Sequence, residues 1–203
     1  MSTLYTTGSA VKAAARITDS VDDSLINAAV ESASRLIDGY CGRSFFAAGS
    51  ATRLFVAYDS YVVQIDDLAG TANLVITSDT SADGTFDTTW TTTDYQLEPL
   101  NQIADGLTSW PYTRIRAIGD YVWPSLGGEA LVKVSASNWG WPSVPDPIEQ
   151  ACVIQSLRIF KRLDSPLGVL GFDGAGVTVR VGRGLDPDVM QMIDPYRKLR
   201  SVA

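Results

Sequence analysis

Apolar positions in the first part of the chain recur at three- and four-residue steps. Ile26, Ala29, Ala33, Leu36, Ile37 and Tyr40 fall on one face of a helix, with Asn27, Glu31, Ser34, Arg35 and Asp38 on the opposite, wet face. Ser20-Val-Asp-Asp23 reads as a capping box, the Ser20 hydroxyl accepting from a first-turn N–H, and Asp22 and Asp23 suit the positive end of the helix dipole. Gly42 supplies the stop. A shorter helix is predicted over about 9–16.

From about Arg53 the period changes. The stretches 54–65, 73–77, 85–97, 113–118 and 131–137 are rich in Val, Ile, Thr, Tyr and Phe, and Gly, Asp, Asn and Pro separate them. That pattern predicts short antiparallel strands. All five tryptophans, Trp90, Trp110, Trp123, Trp139 and Trp141, fall in this region, where large rings let a small sheet bury much area per residue.

Helices return at Val144-Pro-Asp-Pro147. Asp146 is a good N-cap, Pro147 suits the first turn, and Glu149 favours the dipole. The run 148–163 is apolar around much of its circumference, which predicts a core helix ending on Lys161 and Arg162. A glycine-rich connection follows over 165–184, with an alternating strand-like stretch at 177–181. Asp186-Pro187 then opens a last helix carrying Val189, Met190, Met192, Ile193 and Tyr196, which Pro195 bends or restarts. The predicted class is α+β: a small helical bundle from residues 1–43 and 145–203, with an inserted antiparallel β domain at 44–144.

Composition narrows the chemistry. The chain has 203 residues, 45% hydrophobic and 19% charged, the range of a globular protein. It has no run of apolar residues long enough for a membrane-spanning helix. Residues 1–10 lack the basic and apolar regions of a signal peptide, so synthesis and assembly in a cytoplasm are expected. There are no histidines and only two cysteines, Cys41 and Cys152, both on predicted helices. Histidine-based nucleophile pairs are thereby excluded, and two buried thiols are expected rather than a metal site.

The net charge of −7 comes from one region. Residues 1–43 hold 4 basic and 5 acidic side chains, 44–144 hold 4 and 11, and 145–203 hold 8 and 7. No Lys/Arg cluster exists of the kind that displaces counterions from DNA phosphates. Tight nucleic-acid binding is therefore not expected, and brief contact with DNA stays open.

Four motifs invite a functional reading. Asp79-Thr-Ser-Ala-Asp83-Gly84, with Asp87 beyond, resembles half a calcium loop, but its twelfth position is Trp90 where a bidentate glutamate is needed. Turn chemistry is the expectation there. Asp66-Asp67 is an adjacent carboxylate pair whose members point to opposite faces of a strand, so a solvated strand end is expected rather than a hydrolase. Trp110, Tyr112, Trp139 and Trp141 form either a sugar-binding platform or core. The glycine run has no Gly-Lys-Ser/Thr for nucleotide binding. It is expected to dock against a neighbour as an assembly loop, with Gly168, Gly171, Gly174 and Gly176 giving flexibility and Arg180 and Arg183 as anchors.

Five stretches remain to be placed: Ile37-Asp-Gly-Tyr-Cys-Gly-Arg-Ser-Phe45, Trp139-Gly-Trp-Pro-Ser-Val-Pro-Asp-Pro-Ile-Glu-Gln-Ala151, 158–172, Asp186-Pro-Asp-Val189 and Pro195-Tyr-Arg197. Together they resemble the head-to-tail connector (adaptor) proteins of long-tailed, double-stranded DNA bacteriophages. Their order and spacing carry the resemblance. It implies a non-enzymatic virion protein of the neck, without cofactor or metal. It also implies a homo-oligomeric ring, typically of twelve, docked under the portal protein, extending the DNA channel and giving head-closure and tail proteins a platform. The family's portal-gripping segment maps onto the last helix, which makes Asp186, Val189, Met190, Ile193, Tyr196 and Arg197 the portal-docking candidates. A head-closure or tail-completion protein, and a carbohydrate- or host-binding module on the Trp-rich insertion, stand as alternatives.

Overall fold

The computed structural model describes residues 4–125, 128–162, 169–171, 178–180 and 184–198, with backbone alone at 169–171 and 178–180. Four helices and nine strands are present among them, an α+β chain. It divides into two compact units, Met1–Phe45 with Val144–Ala203 and, between these in sequence, Phe46–Ser143.

The first unit is helical. Helix α1 (Gly8–Ala15) is capped by the Thr7 hydroxyl, which accepts from Ala10 N at 3.2 Å. Helix α2 (Asp23–Cys41) ends where expected, on Gly42 in the left-handed region at φ 65°. Its start differs from the capping-box expectation. Asp22 is the N-cap, no side chain caps the helix, and Ser20 contributes only its carbonyl, 3.5 Å from Asp23 N. Helix α3 (Asp146–Arg162) carries Asp146 and Glu149 in its first turn and Lys161 and Arg162 in its last, each sign at its favoured dipole end.

The α2–α3 contact alternates small and β-branched side chains. Ala29, Val30, Ala33 and Ile37 of α2 and Ile148, Ala151 and Cys152 of α3 are all buried. Ser34, placed on the wet face by the periodicity, is fully buried here. Its hydroxyl satisfies itself on Val30 O at 2.8 Å, accepts from Tyr5 N, and meets Cys152 Sγ at 3.5 Å. Leu36, assigned to the apolar face, is 43% exposed. The buried stripe is thus rotated toward Ser34, since a hydroxyl that bonds its own backbone is compatible with a tight helix pair. Both cysteines are buried free thiols, and burial pushes the Cys41 thiol up to about 12.

The second unit is a seven-stranded, curled antiparallel sheet in the order β4-β3-β7-β2-β6-β5, with β1 on β7. Its strands are β1 (Ala47–Phe55), β2 (Val62–Leu68), β3 (Val75–Ser78), β4 (Thr88–Trp90), β5 (Tyr95–Glu98), β6 (Tyr112–Ala117) and β7 (Val132–Gly140). Two predicted strands are each broken in two. The stretch 54–65 turns at 56–61, where the Asp59 carboxylate accepts from Tyr61 N and Val62 N at 2.7 and 3.0 Å. The stretch 85–97 turns where Asp94 accepts from Thr91 N at 2.7 Å.

Strand β7 organises the sheet. Val132, Val134 and Ala136 alternate inward, and a bulge between the Ala51↔Ala136 and Gly49↔Trp139 pairs then shifts the parity so that Trp139 also points inward. The inward set joins Val63, Ile65, Leu68, Ile76, Ile115, Trp90 and Trp123 in one core. Strand β1 begins and β7 ends as partners, Ala47 opposite Gly140, so the chain enters and leaves this unit at adjacent points. That is the geometry a sequence insertion needs.

In the glycine-rich connection, β8 (Val169–Gly171) pairs antiparallel with β9 (Thr178–Arg180). The expected strand at 177–181 is therefore present over its central residues. Gly168, Gly174, Gly176 and Arg183 lie outside the described residues, as does the side chain of Arg180, while Gly171 ends β8.

Candidate functional site

The C-terminal segment is built as the sequence predicts at its start. Asp186 is the N-cap of α4 (Pro187–Ile193), its carboxylate accepting from Asp188 N at 3.0 Å, with Pro187 in the first turn. Pro195 cannot continue the α-helical ladder, and a 3-10 turn takes over at Asp194–Tyr196. Asp186 also ties the helix to α3. Its carboxylate pairs with Arg158, and its N–H donates to Gln155 Oε1 at 3.1 Å.

The apolar stripe of α4 packs on the helical unit itself. Val189 and Ile193 are fully buried and Tyr196 is 4% exposed. The Tyr196 ring meets Phe45 edge-on at 5.8 Å, and Phe45 meets Tyr5 in the same way at 5.7 Å. The Tyr5 hydroxyl accepts from Phe45 N at 2.9 Å and donates to Asp38. Burial, reinforced by the Asp38 carboxylate, holds the Tyr5 phenol well above its ordinary range, and burial raises Asp38 as well. Beyond Tyr196, Lys198 N donates to Cys41 O at 2.7 Å, at the end of α2. Tyr40 donates to Asp194 at 3.0 Å, and the Arg197 guanidinium lies 5.0 Å from the Tyr40 ring centre.

Of the six docking candidates, Val189, Ile193 and Tyr196 therefore form intramolecular core, and Asp186 is committed to the cap and to Arg158. Met190 is half-buried and Arg197 is exposed. The open face of the segment carries Pro187, Asp188, Gln191, Asp194 and Arg197. Periodicity found the stripe correctly, but a stripe does not say whose core it enters.

Replacing Asp186 with Ala removes the cap and leaves Arg158 without this partner. The expected loss is about 2 kcal/mol in the helical unit, read from urea unfolding by circular dichroism at 222 nm. A loss below about 0.5 kcal/mol, the range of inert surface changes, would show that the segment is not held by this residue.

The other candidate motifs resolve into structure. Asp79 is 1% exposed, and its carboxylate accepts from the backbone of Ser81, Ala82, Asp83 and Gly84 at 2.7–3.4 Å. This is turn chemistry, with the oxygens a cation would need already occupied by N–H groups. Among the described residues no cluster of His, Cys, Asp or Glu could hold a metal. Asp66 pairs with Arg53 at 2.8 Å, while Asp67 is buried and accepts from Trp141 Nε1 at 2.9 Å. Opposite faces hold, but the expected solvation does not hold for Asp67. Trp110, Trp139 and Trp141 are 6%, 0% and 3% exposed, which makes them core and removes the sugar platform.

The exposed aromatics of the β unit are instead Tyr58, Tyr61 and Tyr121. Sequence reasoning passed over them because no periodicity marks a loop residue. No helix among the described residues is long and apolar enough to cross a membrane.

Comparison with known proteins bears on these surfaces. Residues 7–86 match the family described as phage gp6-like head-tail connector protein. A chain in the neck of an empty GTA particle, computed with C6 symmetry, superposes with a TM-score of 0.51 at 14% identity, covering 97% of this chain and 91% of that one. A chain in the neck of the native GTA particle, computed with C12 symmetry, has a TM-score of 0.46 at 17% identity and covers 97% and 93%. GTA denotes a gene transfer agent. No curated protein matches the chain. At these identities the first superposition speaks for the fold.

Proposed function

We propose, from the match of residues 7–86 to the head-tail connector family, that this chain is a non-enzymatic structural subunit of a virion neck. That match is the observation that carries the reading, and a likeness of fold over nearly the whole chain to a neck protein supports it. In this reading the helical unit is the connector body, and residues 46–143 are a β domain inserted between its halves. Copies close into a ring under the portal protein, typically of twelve, and present a platform for head-closure and tail proteins. Genomic DNA passes through the lumen. The charge of −7, placed in the β-rich region, suits a passage that must not grip phosphates.

Portal docking by the C-terminal segment takes a specific form here. Truncation before Asp186 would remove Val189, Ile193 and Tyr196 from the helical core, so it would destabilise the unit as well as any docking surface. The discriminating variants lie on the open face: Asp188→Lys, Gln191→Glu and Arg197→Glu. Co-expression of chain and portal, followed by native mass measurement, is expected to give a ring-on-ring complex. The triple variant is expected to fold and to lose that complex. An unchanged complex would remove this face from the portal contact, and failure of the unaltered chain to bind portal would overturn the adaptor reading itself.

A further inference from the structure

Helix α2 carries a second apolar face that its own unit does not use. Its buried stripe runs through Ile26, Val30, Ala33 and Ile37. Roughly a third of a turn away, Leu25 is 46% exposed and Leu36 is 43% exposed. Val21, in the turn leading into the helix, is 84% exposed, the most of any large apolar side chain among the described residues. Between the two leucines the same line holds Ala28 and Ser32, and Gly39 follows Leu36, all three exposed. Small side chains between large ones let a second helix lie close, at about 8–10 Å between axes. Gly39 is the sharper observation. It lies inside α2 with a negative φ, and a Cβ built there meets nothing within 4 Å. A glycine within a helix lowers the folding equilibrium roughly fivefold relative to alanine. Nothing among the described residues requires that loss. A helix face that forgoes even a methyl group fits a close approach by a body outside the chain.

Closure and charge select the occupant. Helix α3 is buried around most of its circumference but leaves one strip open, where Ile154 is 38% exposed, Leu157 is half-buried and Lys161 is exposed. The two helices have 19 and 17 residues, so the outer face of one can cover the outer strip of the other nearly end to end. Packing α2 on α2 of another copy would close a two-fold pair and go no further. Packing it on α3 of the next copy is heterologous and repeats around a ring. The α2 face starts at Asp19 and Asp22, and Arg35 beside it is held by Asp38 at 3.2 Å. An antiparallel crossing sets Lys161 beside those two aspartates and opposes the helix dipoles. We infer that the outer face of α2 packs on the outer strip of α3 in a second copy of this chain. The inference rests on the ring reading above and assigns its surfaces, which share no residue with the open face of the C-terminal segment.

The test places a photo-crosslinking amino acid at position 32 of the full chain. Isotope-labelled and unlabelled copies are mixed, alone at up to millimolar concentration and on portal rings. Mixed-isotope crosslinks into peptides of 147–161 are expected, the label separating them from contacts inside one chain. In sedimentation, Leu25→Ser/Leu36→Ser is expected to weaken self-association about thirtyfold. A control, Leu54→Ser/Leu100→Ser, removes two exposed leucines of the β unit and is expected to leave it unchanged. Gly39→Ala should act with opposite signs on fold and assembly. Its urea midpoint at 222 nm should rise by about 0.5 M while association weakens about tenfold. Mixed-isotope crosslinks that miss 147–161 would overturn this inference and leave the ring standing. So would a double leucine variant, or a Gly39→Ala chain, that associates like the unaltered one. A chain that associates neither alone nor on portal would overturn the ring and these surfaces together.

Discussion

Alanine at Trp139 is expected to bring the β unit close to unfolding under otherwise native conditions. Trp139 is fully buried and joins the inner faces of β1, β2 and β7, paired with Gly49 on one side and Leu68 on the other. Its indole N–H donates to Ala51 O at 2.8 Å, Phe55 packs at 5.9 Å, and the Arg53 guanidinium lies 4.5 Å from the ring centre. Truncation opens a cavity at the join and strands the Ala51 carbonyl. Together these cost about 4–5 kcal/mol, against a typical domain stability of about 5–15. The other four tryptophans also lie in this unit, so tryptophan fluorescence follows it apart from the helices. The urea midpoint should fall by about 2 M while the signal at 222 nm keeps its own transition. A midpoint lowered by less than about 0.5 M would mean that the bulged strand closes without the indole.

How much of this could be read beforehand depends on what each element's signal physically is. Helix termini announce themselves through local chemistry. Gly42 and Asp186 stand at the ends their residue types announce because a cap is a contact between near neighbours. Asp146, expected as an N-cap, is instead the first residue of α3, and Pro145 O ahead of it accepts from Glu149 N at 3.0 Å. The Ser20 box failed for the same local reason: the helix starts later, and the pattern does not fix which of several polar residues takes the N-cap. Strand content was legible from Val, Ile, Thr and aromatic enrichment, but two breaks were not. Asp59 and Asp94 fold turns with a single carboxylate inside runs that otherwise read as continuous.

The buried face of α2 departs from its hydrophobic periodicity at Ser34 and Leu36 because a serine bonded to its own backbone behaves as a small apolar residue. The C-terminal stripe shows the deeper limit. Val189, Ile193 and Tyr196 have the spacing of a docking helix whether the surface they meet belongs to this chain or to another. The exposed tyrosines left no periodic trace at all. The position of Trp139 depended on a one-residue bulge, and such a parity shift is a property of paired strands that no single strand records.

The same seam yields the second large effect, Gly140→Ala. Gly140 adopts φ 91°, outside the region open to side-chain-bearing residues. A Cβ built there would sit 2.2 Å from Phe46 O and 2.9 Å from Ala48 N, both backbone atoms of the paired strand. Neither can swing aside as a flexible side chain would, because Trp141 N donates to that same Phe46 carbonyl at 3.1 Å. The strands where the chain enters and leaves the β unit must then separate. The conformational cost of about 1–2 kcal/mol and an overpacking cost of about 1–3 add to roughly 4 kcal/mol.

Gly84 separates the two contributions. It has nearly the same dihedral, φ 88°, but a Cβ there meets nothing within 4 Å. Gly84→Ala should therefore cost only the conformational part, and Gly140→Ala at least twice as much, both read by tryptophan fluorescence in urea. Equal losses would show that the close approach at Phe46 relaxes without consequence, and that the seam does not depend on a missing side chain.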